Sequence, residues 1–550
     1  MKDHRGLARE VLGNDTLTSL SSFTFDKVSQ LDYDISTALS TIREWRNSFV
    51  PINRIPLDVL SLIPTHLPSQ KDRFHATFVC RHWRRTFIQR ATLWSSLYLP
   101  NGEVYVKTLL ERAKGSPLSV LTRGSDPVSV MTLFTPHNKQ ISYLDFAHNY
   151  WVDIQMFSEL NPGPFPLLRT LIISGIKGNG PRARNQPPTP LFSHATNLTE
   201  FQFHSEMSPF LNHFAFPNLT VFELSAGPFE GLRASQLLDF LETSPMLRTV
   251  RMRITTNVLL EGIPRDRLVV LPHVEFFYLT VTDGGPGYKL ATHIGCPSVR
   301  YTLLLHEIDA EDTIPEEIFP ASVSWDAIIR QYTRSPVEEV TLKIRAPENP
   351  AFACSITFQS PDATTIGLGF EATVSDEDDD EFEIPYVETH LELFSQASRI
   401  IRGHPLLANV KRLHISHRYF CIGPDQATPI VNEVGRIFKS VGPLEELTIH
   451  RSDLRPYLSQ FFDPPWFHDI EQPVIFPPTK ELTITHPLYQ SPGKCAEVIV
   501  RLAKSQHALG MPFERVTVRM RNLHATMAER LRPWVGVVYF HDEVLMHSDD

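Results

Sequence analysis

The segment "PNLTVFEL", residues 217–224, has a proline at its start and apolar residues at its third, sixth and eighth positions. The last two of these, Phe222 and Leu224, are two residues apart, and side chains two apart point to the same face of a β-strand. The segment therefore predicts a short strand with one face in a hydrophobic core. The same spacing recurs between residues 166 and 518, so this pattern decides most of the fold.

Ten further segments share the pattern. They begin at residues 166, 196, 245, 272, 297, 335, 408, 442, 477 and 511. The copy at 297, "PSVRYTLL", is weak because Thr302 occupies its sixth position. Several connecting segments have the apolar spacing of helices, and most end close to the proline that precedes the next strand. These segments are 234–245, 324–336, 431–443 and 496–512.

The core L-x-x-L-x-L of each copy resembles the strand segment of leucine-rich repeats. The resemblance implies an α/β fold in which the units of residues 100–550 stack into an irregular leucine-rich-repeat-like solenoid. Parallel strands would line its concave side, and each unit would bury its apolar face against its neighbours. A non-repetitive α/β domain is the alternative.

One long interval between copies holds an insertion. The segments "SITFQS" (355–360) and "TTIGLGFE" (364–371) predict an additional strand pair, and 387–405 predicts a helix that rejoins the repeat. An acidic insertion near 371–386 carries seven carboxylates among residues 376–383. We expect a solvated loop there, with a docking site for a basic partner as the alternative. The tract lacks the spacing and the turn glycine of a calcium-binding EF-hand loop.

A second informative stretch, residues 52–99, precedes the repeats and reads "INRIPLDVLSLIPTHLPSQKDRFHATFVCRHWRRTFIQRATLWSSLYL". Its first apolar residues, Ile55, Val59 and Ile63, share one helical face, and Pro64 should end that helix after one or two turns. A second helical stripe is formed by Ala76, Val79, Trp83 and Phe87. Helices of this size bury too small a core to be stable alone. They must pack on a partner or on the rest of the chain.

Three motifs occur in order within this stretch: "IPLDVL", "FVCRHWRR" and "LWSSLYL". Together they resemble an F-box, whose pattern is roughly Leu-Pro-x-Glu-Leu-Leu, an apolar helix, Val-Cys-x-x-Trp-Arg and a closing Trp. Ile55 and Asp58 replace the usual Leu and Glu, and Pro64 stands where the family usually continues its first helix. The flanking segments, "ALSTIREWRNSFVPINRIP" and "LLERAKGSPLSVL", resemble those of F-box proteins from mushroom-forming fungi. The resemblance divides the chain into a helical and partly disordered arm (1–48), an F-box (49–99) and the repeat region (100–550).

An F-box binds the Skp-type adaptor of a cullin–RING ubiquitin ligase. The resemblance therefore implies such an adaptor, and through it a cullin, as partners of this chain. The first adaptor contacts would come from Ile55, Pro56, Val59 and Leu60, with Ile63 on the same face. The second helix and part of the docking face would be built by Val79, Cys80 and Trp83, and Trp94 would lock the end of the box. The basic residues between Lys71 and Arg90 are interpreted as a solvated rim that steers an acidic partner, rather than as a nucleic-acid site.

The composition favours a protein of the cytosol or nucleus. The chain has 550 residues, a formal net charge of −10 and five widely separated cysteines, which predict neither a disulfide framework nor a zinc ribbon. The N-terminal segment lacks the apolar core of a signal peptide. The apolar stretch 267–281 is interrupted by Pro272, His273 and Glu275, so we expect no membrane span.

The sequence contains no nucleophile-elbow or phosphate-loop motif, and "DGGPGYK" (283–289) is interpreted as a turn between strands. His414 and His417 are three residues apart on a predicted strand, so they point to opposite faces and cannot share a metal. Cys80 is interpreted as a core residue of the second box helix. We expect no enzymatic activity, no cofactor and no metal.

Three functions are compared. In the first, which we predict, the chain is the substrate receptor of an SCF-type ligase, and its solenoid holds an unknown protein target within reach of ubiquitin transfer. In the second, the chain is a non-catalytic binding scaffold whose box-like helices only cap the solenoid. The third, an α/β enzyme with a disguised site, requires a deep pocket with convergent polar groups.

Overall fold

The computed structural model divides the chain into two compact units, Met1–Tyr143 and Leu144–Asp550. It describes residues 25–67, 69–98, 102–123, 133–147, 163–176, 192, 194–205, 211, 214–227, 232–254, 258–282, 284–309, 323–333, 335–345, 351–362, 364–373, 395–402, 409–418, 424–450, 476–485, 492–519 and 525–540. The acidic tract at 376–383 and the arm before Phe25 lie outside the described residues, as does the first part of the helix predicted at 387–405.

The first unit contains the predicted box and the helix that precedes it. Its helices are α1 (Phe25–Ser48), α2 (Leu57–Leu60), α3 (Gln70–Ala76), α4 (Arg81–Gln89) and α5 (Glu103–Ala113). Short 3₁₀ turns occur at Pro51–Arg54, Ile63–His66, Ala91–Leu93 and Thr135–Gln140. Strands β1 (Ser96–Tyr98) and β2 (Leu118–Arg123) pair in parallel. Strand β3 (Ile141–Ala147) contains the point at which the two units are divided.

Prolines set the lengths of the first box turns. Pro56 immediately precedes α2 with φ −52° and ψ 144°, and its fixed φ suits the start of a helix. Helix α2 ends at Leu60, and the chain continues as a 3₁₀ turn that contains Pro64. The prediction that the first helix is cut short before Pro64 is confirmed.

The predicted second box helix is divided into two. Helix α3 ends at Ala76, and α4 begins only at Arg81. Between them Cys80 is extended, with φ −161° and ψ 171°, and its carbonyl accepts a hydrogen bond from the Arg84 backbone N–H at 3.0 Å. Val79 and Cys80 therefore lie in a connection, and the prediction of one continuous helical stripe was wrong. The physical reason is that "TFVC", residues 77–80, consists of weak helix formers, two of them β-branched.

The second unit alternates strands with helices. Its helices include α6 (Ala234–Glu242), α7 (Gly284–Ala291), α8 (Trp325–Tyr332), α9 (Pro424–Ser440), α10 (Pro492–Ala508) and α11 (Ala525–Leu531). Residues 395–402, within the helix predicted at 387–405, are also helical. Its first strands are β4 (Thr170–Ile176), β5 (Glu200–Ser205), β6 (Val221–Ala226), β7 (Leu232–Arg233), β8 (Thr249–Ile254), β9 (Val258–Leu259) and β10 (Val269–Val270). The next are β11 (Phe276–Val281), β12 (Ile294–Gly295), β13 (Tyr301–Asp309), β14 (Glu339–Arg345), β15 (Ala351–Gln359) and β16 (Thr365–Thr373). The last are β17 (Arg412–Arg418), β18 (Leu444–His450), β19 (Thr479–Thr485), β20 (Phe513–Arg519) and β21 (Val535–Phe540).

Most long strands of this unit form two parallel series, which we call the ladder, and within each series the spatial order of the strands is their order in the sequence. Strands β4, β5, β6, β8, β11 and β13 pair successively in parallel. Strands β14, β17, β18, β19, β20 and β21 do the same. The pairs β7–β9 and β10–β12 form two small separate sheets. Parallel neighbours need crossover connections, and α6, α9 and α10 lie in such crossovers. Helices α6, α8, α9 and α10 lie within or overlap the four segments predicted to be helical.

The insertion joins the two halves of the ladder. Strand β13 pairs with β16, β16 pairs with β15, and β15 pairs with β14. Strand β15 runs antiparallel to both of its neighbours, whereas β13 and β16 are parallel to each other. The prediction of an extra strand pair at 355–371 is confirmed, and the pair lies inside the sheet rather than on its surface.

The strand pattern read from the sequence accounts for the core. All eleven copies fall on strands, and each copy buries its third, sixth and eighth residues. The interior is rich in phenylalanine near β5 and β6: ring centroids lie 5.0 Å apart for Phe201 and Phe214, and 4.7 Å apart for Phe222 and Phe240. Full burial of such a side chain contributes about 1.5 to 3 kcal/mol.

One predicted turn is a helix. The segment "DGGPGYK" forms most of α7. A side chain at Gly287 would bring its Cβ to 2.5 Å from Val281 Cγ1, so only glycine lets the helix lie this close to β11. Tyr288, the next residue, is buried with its ring 4.7 Å from that of Trp325. The prediction of a turn was wrong because the glycine serves close packing here.

Candidate adaptor-docking surface

The box has a filled interior of its own. Its fully or almost fully buried apolar side chains are Leu60, Phe87, Leu93, Trp94 and Leu97. The Trp94 indole N–H donates to the Phe87 carbonyl at 3.0 Å, which ties the closing tryptophan to the end of α4. The Arg112 guanidinium of α5 lies 4.8 Å from the centre of the Trp94 ring, within the range of a cation–π interaction.

Asn53 links the first turn of the box to the start of α4. Its side-chain oxygen accepts a hydrogen bond from the Trp83 indole N–H at 2.8 Å and lies 4.0 Å from Cys80 Sγ. Its side-chain amide donates to the Asn47 carbonyl at 2.8 Å, so α1 is held by the same residue. The connection that carries Val79 is thereby fixed beside the 3₁₀ turn that leads into α2. Apolar periodicity gave no signal for Asn53, because its role is to accept one hydrogen bond from a half-buried tryptophan.

Apolar side chains remain exposed on the parts of the box that Asn53 brings together. They are Ile52, Leu57, Val59, Leu62, Phe78 and Val79, and we call this set the docking surface. Leu57 is 58% exposed and Val79 is 61% exposed. So many exposed apolar residues in a short segment are typical of a surface that a partner covers.

The predicted contact residues fall into three classes. Pro56, Val59 and Val79 are exposed, and Ile55, Ile63, Cys80 and Trp83 are half-buried. Leu60 and Trp94 are buried in the core of the box. The Leu60 side chain has no exposed surface and packs inside the box, and its role as an adaptor contact stays a prediction. The sequence missed Leu57, Leu62 and Phe78 as exposed apolar residues, because they lie beside the stripe that the helical spacing selects.

Basic side chains border the docking surface. Arg84 donates from Nε to the Thr77 carbonyl at 3.1 Å, and its guanidinium lies 5.5 Å from the centre of the exposed Phe78 ring. Arg81 forms a 3.2 Å ion pair with Glu44 of α1, and both groups are more than half exposed. An exposed pair of this kind contributes little stability. These cations place positive charge at the rim of the docking surface.

The second unit contains a hollow of about 370 Å³ that is lined by charged and polar side chains, as a catalytic site would be. Glu275 lies in it, 3.8 Å from both Arg248 Nη1 and Arg300 Nε. Asp362, another lining residue, accepts the Thr364 backbone N–H at 3.1 Å, as expected for a turn between β15 and β16. The charged groups of the hollow therefore contact one another or cap a turn.

The second unit contains two buried free thiols, those of Cys296 and Cys354. Burial raises the pKa of the Cys354 thiol to about 12 and raises that of Cys296 further, so both stay protonated at neutral pH. Within the described residues, no group of three or more His, Cys, Asp or Glu side chains is placed to hold a metal ion. His414 Nε2 lies 3.5 Å from Glu339 Oε1, while the His417 side chain is outside the described residues. None of the helices in the described ranges is both long and apolar enough to cross a membrane.

Comparison with known families agrees with the geometry of the first unit. Residues 52–100 match the family model described as F-box-like. This segment is an F-box-like domain. The match covers the docking surface and the buried core beneath it, from Ile52 through Trp94. A search of curated proteins found no significant match to the chain.

Proposed function

We propose that this protein is a substrate-receptor subunit of an SCF-type cullin–RING ubiquitin ligase. The observation that carries the proposal is an F-box-like domain whose interior is filled while Leu57, Val59 and Val79 stay exposed. A Skp-type adaptor covers these side chains and links the chain to a cullin. Burial of each side chain contributes up to about 1.5 to 3 kcal/mol. The protein makes and breaks no bonds itself; it raises the local concentration of a target at the ligase, in the cytosol or the nucleus.

We further propose that the second unit is a leucine-rich-repeat-like solenoid and that the outward face of its parallel strands binds the target. Register places Glu223, Arg251 and Tyr278 side by side on β6, β8 and β11. The Arg251 guanidinium lies 5.5 Å from the centre of the Tyr278 ring, and Tyr278 lies 5.5 Å from Tyr301 on β13. Tyrosine and arginine are enriched at protein interfaces. The fungal resemblance of the segments that flank the box supports the same class of receptor.

The alternative, a scaffold that uses the box only as a cap, fits the first unit less well. A cap would turn Pro56, Leu60 and Trp83 toward the repeats. Within the first unit, Leu60 packs in the core of the box itself, and the Trp83 indole N–H bonds to Asn53.

The test is capture of a purified Skp-type adaptor by the tagged full-length chain. The variant Leu57→Asp/Val79→Asp places two charges on the docking surface without altering the buried core, and we expect it to lose capture. The matched control is Val104→Asp on α5, where the side chain is 80% exposed, and this variant should capture the adaptor like the wild type. Leu60→Asp is unsuitable, because it buries a charge in the box.

Circular dichroism confirms that each variant is folded before capture is compared. A folded wild type that captures no adaptor refutes the ligase proposal and leaves the scaffold. A second variant, Arg251→Glu/Tyr278→Ala, tests the target face separately. It should retain the adaptor and lose bound cellular protein that the wild type retains.

A further inference from the structure

Helix α1 carries an apolar stripe with a strict alternation of three- and four-residue steps. The stripe consists of Val28, Leu31, Ile35, Ala38, Ile42 and Trp45, and Phe49 continues it one residue past the end of the helix. Helix α1 has no buried residue. Trp45, the largest member, is 67% exposed. The spacing is that of the a and d positions of a coiled coil, sustained over three heptads.

The helix is poorly suited to stand alone. Its 24 residues, "FDKVSQLDYDISTALSTIREWRNS", are rich in Ser, Thr, Asp and β-branched residues, which are weak helix formers. Isolated helices of this length are marginal in water even with good helix formers, and most helices depend on packing of an apolar face. A partner must therefore cover this stripe.

We propose that the partner is α1 of a second copy of this chain and that the two helices form an antiparallel coiled coil. In this arrangement Ile35 faces Trp45 of the other copy, and Ala38 faces Ile42. A two-fold axis repeats each contact. Large side chains thus meet smaller ones, as interdigitating cores require. A parallel pair would set Trp45 against Trp45 and Ala38 against Ala38, which leaves one layer overfilled and another underfilled.

The flanking positions support the same register. Asp32, Leu39 and Arg46 occupy successive e positions, and e positions face each other in an antiparallel pair. Asp32 then lies opposite Arg46 of the other copy, twice by symmetry, and Leu39 meets Leu39 close to the axis. Leu39 is 48% exposed and lies outside the a/d stripe, so this register also gives a role to an otherwise unexplained apolar residue.

The arrangement has a geometric consequence. Twenty-four helical residues span about 36 Å, and each α1 leads directly into its own box. Antiparallel pairing therefore places the two boxes at opposite ends of the coiled coil. The docking surfaces of both copies stay available, because none of their residues belongs to α1.

The experiment is sedimentation equilibrium of the purified full-length chain, which we expect to be a dimer that dissociates on dilution. Asp32→Arg and Arg46→Asp each replace two attractive charge pairs with two repulsive ones. Each should raise the dissociation constant of the dimer about tenfold. The double variant Asp32→Arg/Arg46→Asp restores opposite charges and should regain the wild-type affinity. The matched control, Arg43→Asp, changes the same charge on the outer side of α1 and should leave the dimer unchanged. All three positions are exposed, so the variants should fold.

Three results would overturn the proposal. A monomer at every concentration shows that no second copy covers the stripe. A dimer that is insensitive to Arg46→Asp, or that the double variant fails to rescue, excludes the antiparallel register; a parallel pair would place Asp32 near Lys27 instead. A dimer that dissociates when the Skp-type adaptor is added assigns the stripe to the adaptor. The ligase proposal is tested separately, since adaptor capture does not require a dimer.

Discussion

The substitution Thr302→Val should stabilise the second unit. Thr302 lies on β13 at the sixth position of the one weak copy of the strand pattern, and its side chain is fully buried. Its neighbours in register are Phe277 on β11 and Ile366 on β16, both fully buried. Among the described residues, the Thr302 hydroxyl finds no hydrogen-bond partner. Valine has the same shape and replaces this hydroxyl with a methyl group.

The expected gain follows from two effects. An unpaired hydroxyl in an apolar interior costs about 1 to 3 kcal/mol relative to water. The added methyl group contributes up to about 0.8 kcal/mol through burial. Because relaxation reduces both effects, we expect a net increase of about 1 to 3 kcal/mol in the free energy of unfolding. Most core substitutions are destabilising, so the sign alone is informative.

The assay is hydrogen exchange as a function of urea, read by mass spectrometry on peptides that cover β11, β13 and β16, because it reports the stability of this part of the sheet. Thr302→Ser is the control: it keeps the hydroxyl, removes the methyl group and should destabilise by about 1 kcal/mol. If Thr302→Val lowers the free energy of unfolding by 1 kcal/mol or more, the hydroxyl is paired and the reasoning fails.

Two further predictions concern packing and the box. Gly287→Ala should destabilise β11 and α7 by about 1 to 3 kcal/mol, since the new Cβ would lie 2.5 Å from Val281 Cγ1, whereas Gly295→Ala, whose nearest neighbour is at 3.5 Å, should be tolerated in the same exchange assay. Asn53→Ala removes the acceptor of the Trp83 indole N–H and should destabilise the box by about 1 to 3 kcal/mol, while Asn53→Asp retains an acceptor and should be milder. Thermal unfolding followed by tryptophan fluorescence checks this ranking, and equal effects of the two changes would contradict the assigned hydrogen bond.

The sequence predicted the strands well because each of them is stabilised in the same way. The third, sixth and eighth positions of every copy are buried, so the apolar spacing reflects one repeated physical requirement. Helix α7 was missed for the opposite reason. Its glycines suggest a turn in isolation, and only the position of Val281 on β11 explains why Gly287 is helical.

The sequence predicted the box as a unit, but it did not predict which of its apolar residues are buried. The family resemblance groups Leu60 with Val59 and Pro56, yet Leu60 is buried while Pro56 and Val59 are exposed. The Asn53–Trp83 hydrogen bond joins segments 30 residues apart in sequence, and no local pattern encodes it.

The reversed strand β15 gives the chain an unusual order of assembly during translation. Strands β5, β6, β8, β11 and β13 can each be added to the sheet as they leave the ribosome, since each pairs with a strand already made. The next strand synthesised, β14, has no place beside β13; that edge is filled by β16, after β14 and β15 have been made. Until β16 has been made, the edge of β13 that β16 occupies has no partner strand, and an open strand edge is a template for wrong pairing. Strand-by-strand addition in the order of synthesis is therefore interrupted after β13. Strands β14, β15 and β16 must all be made before they can join the sheet together.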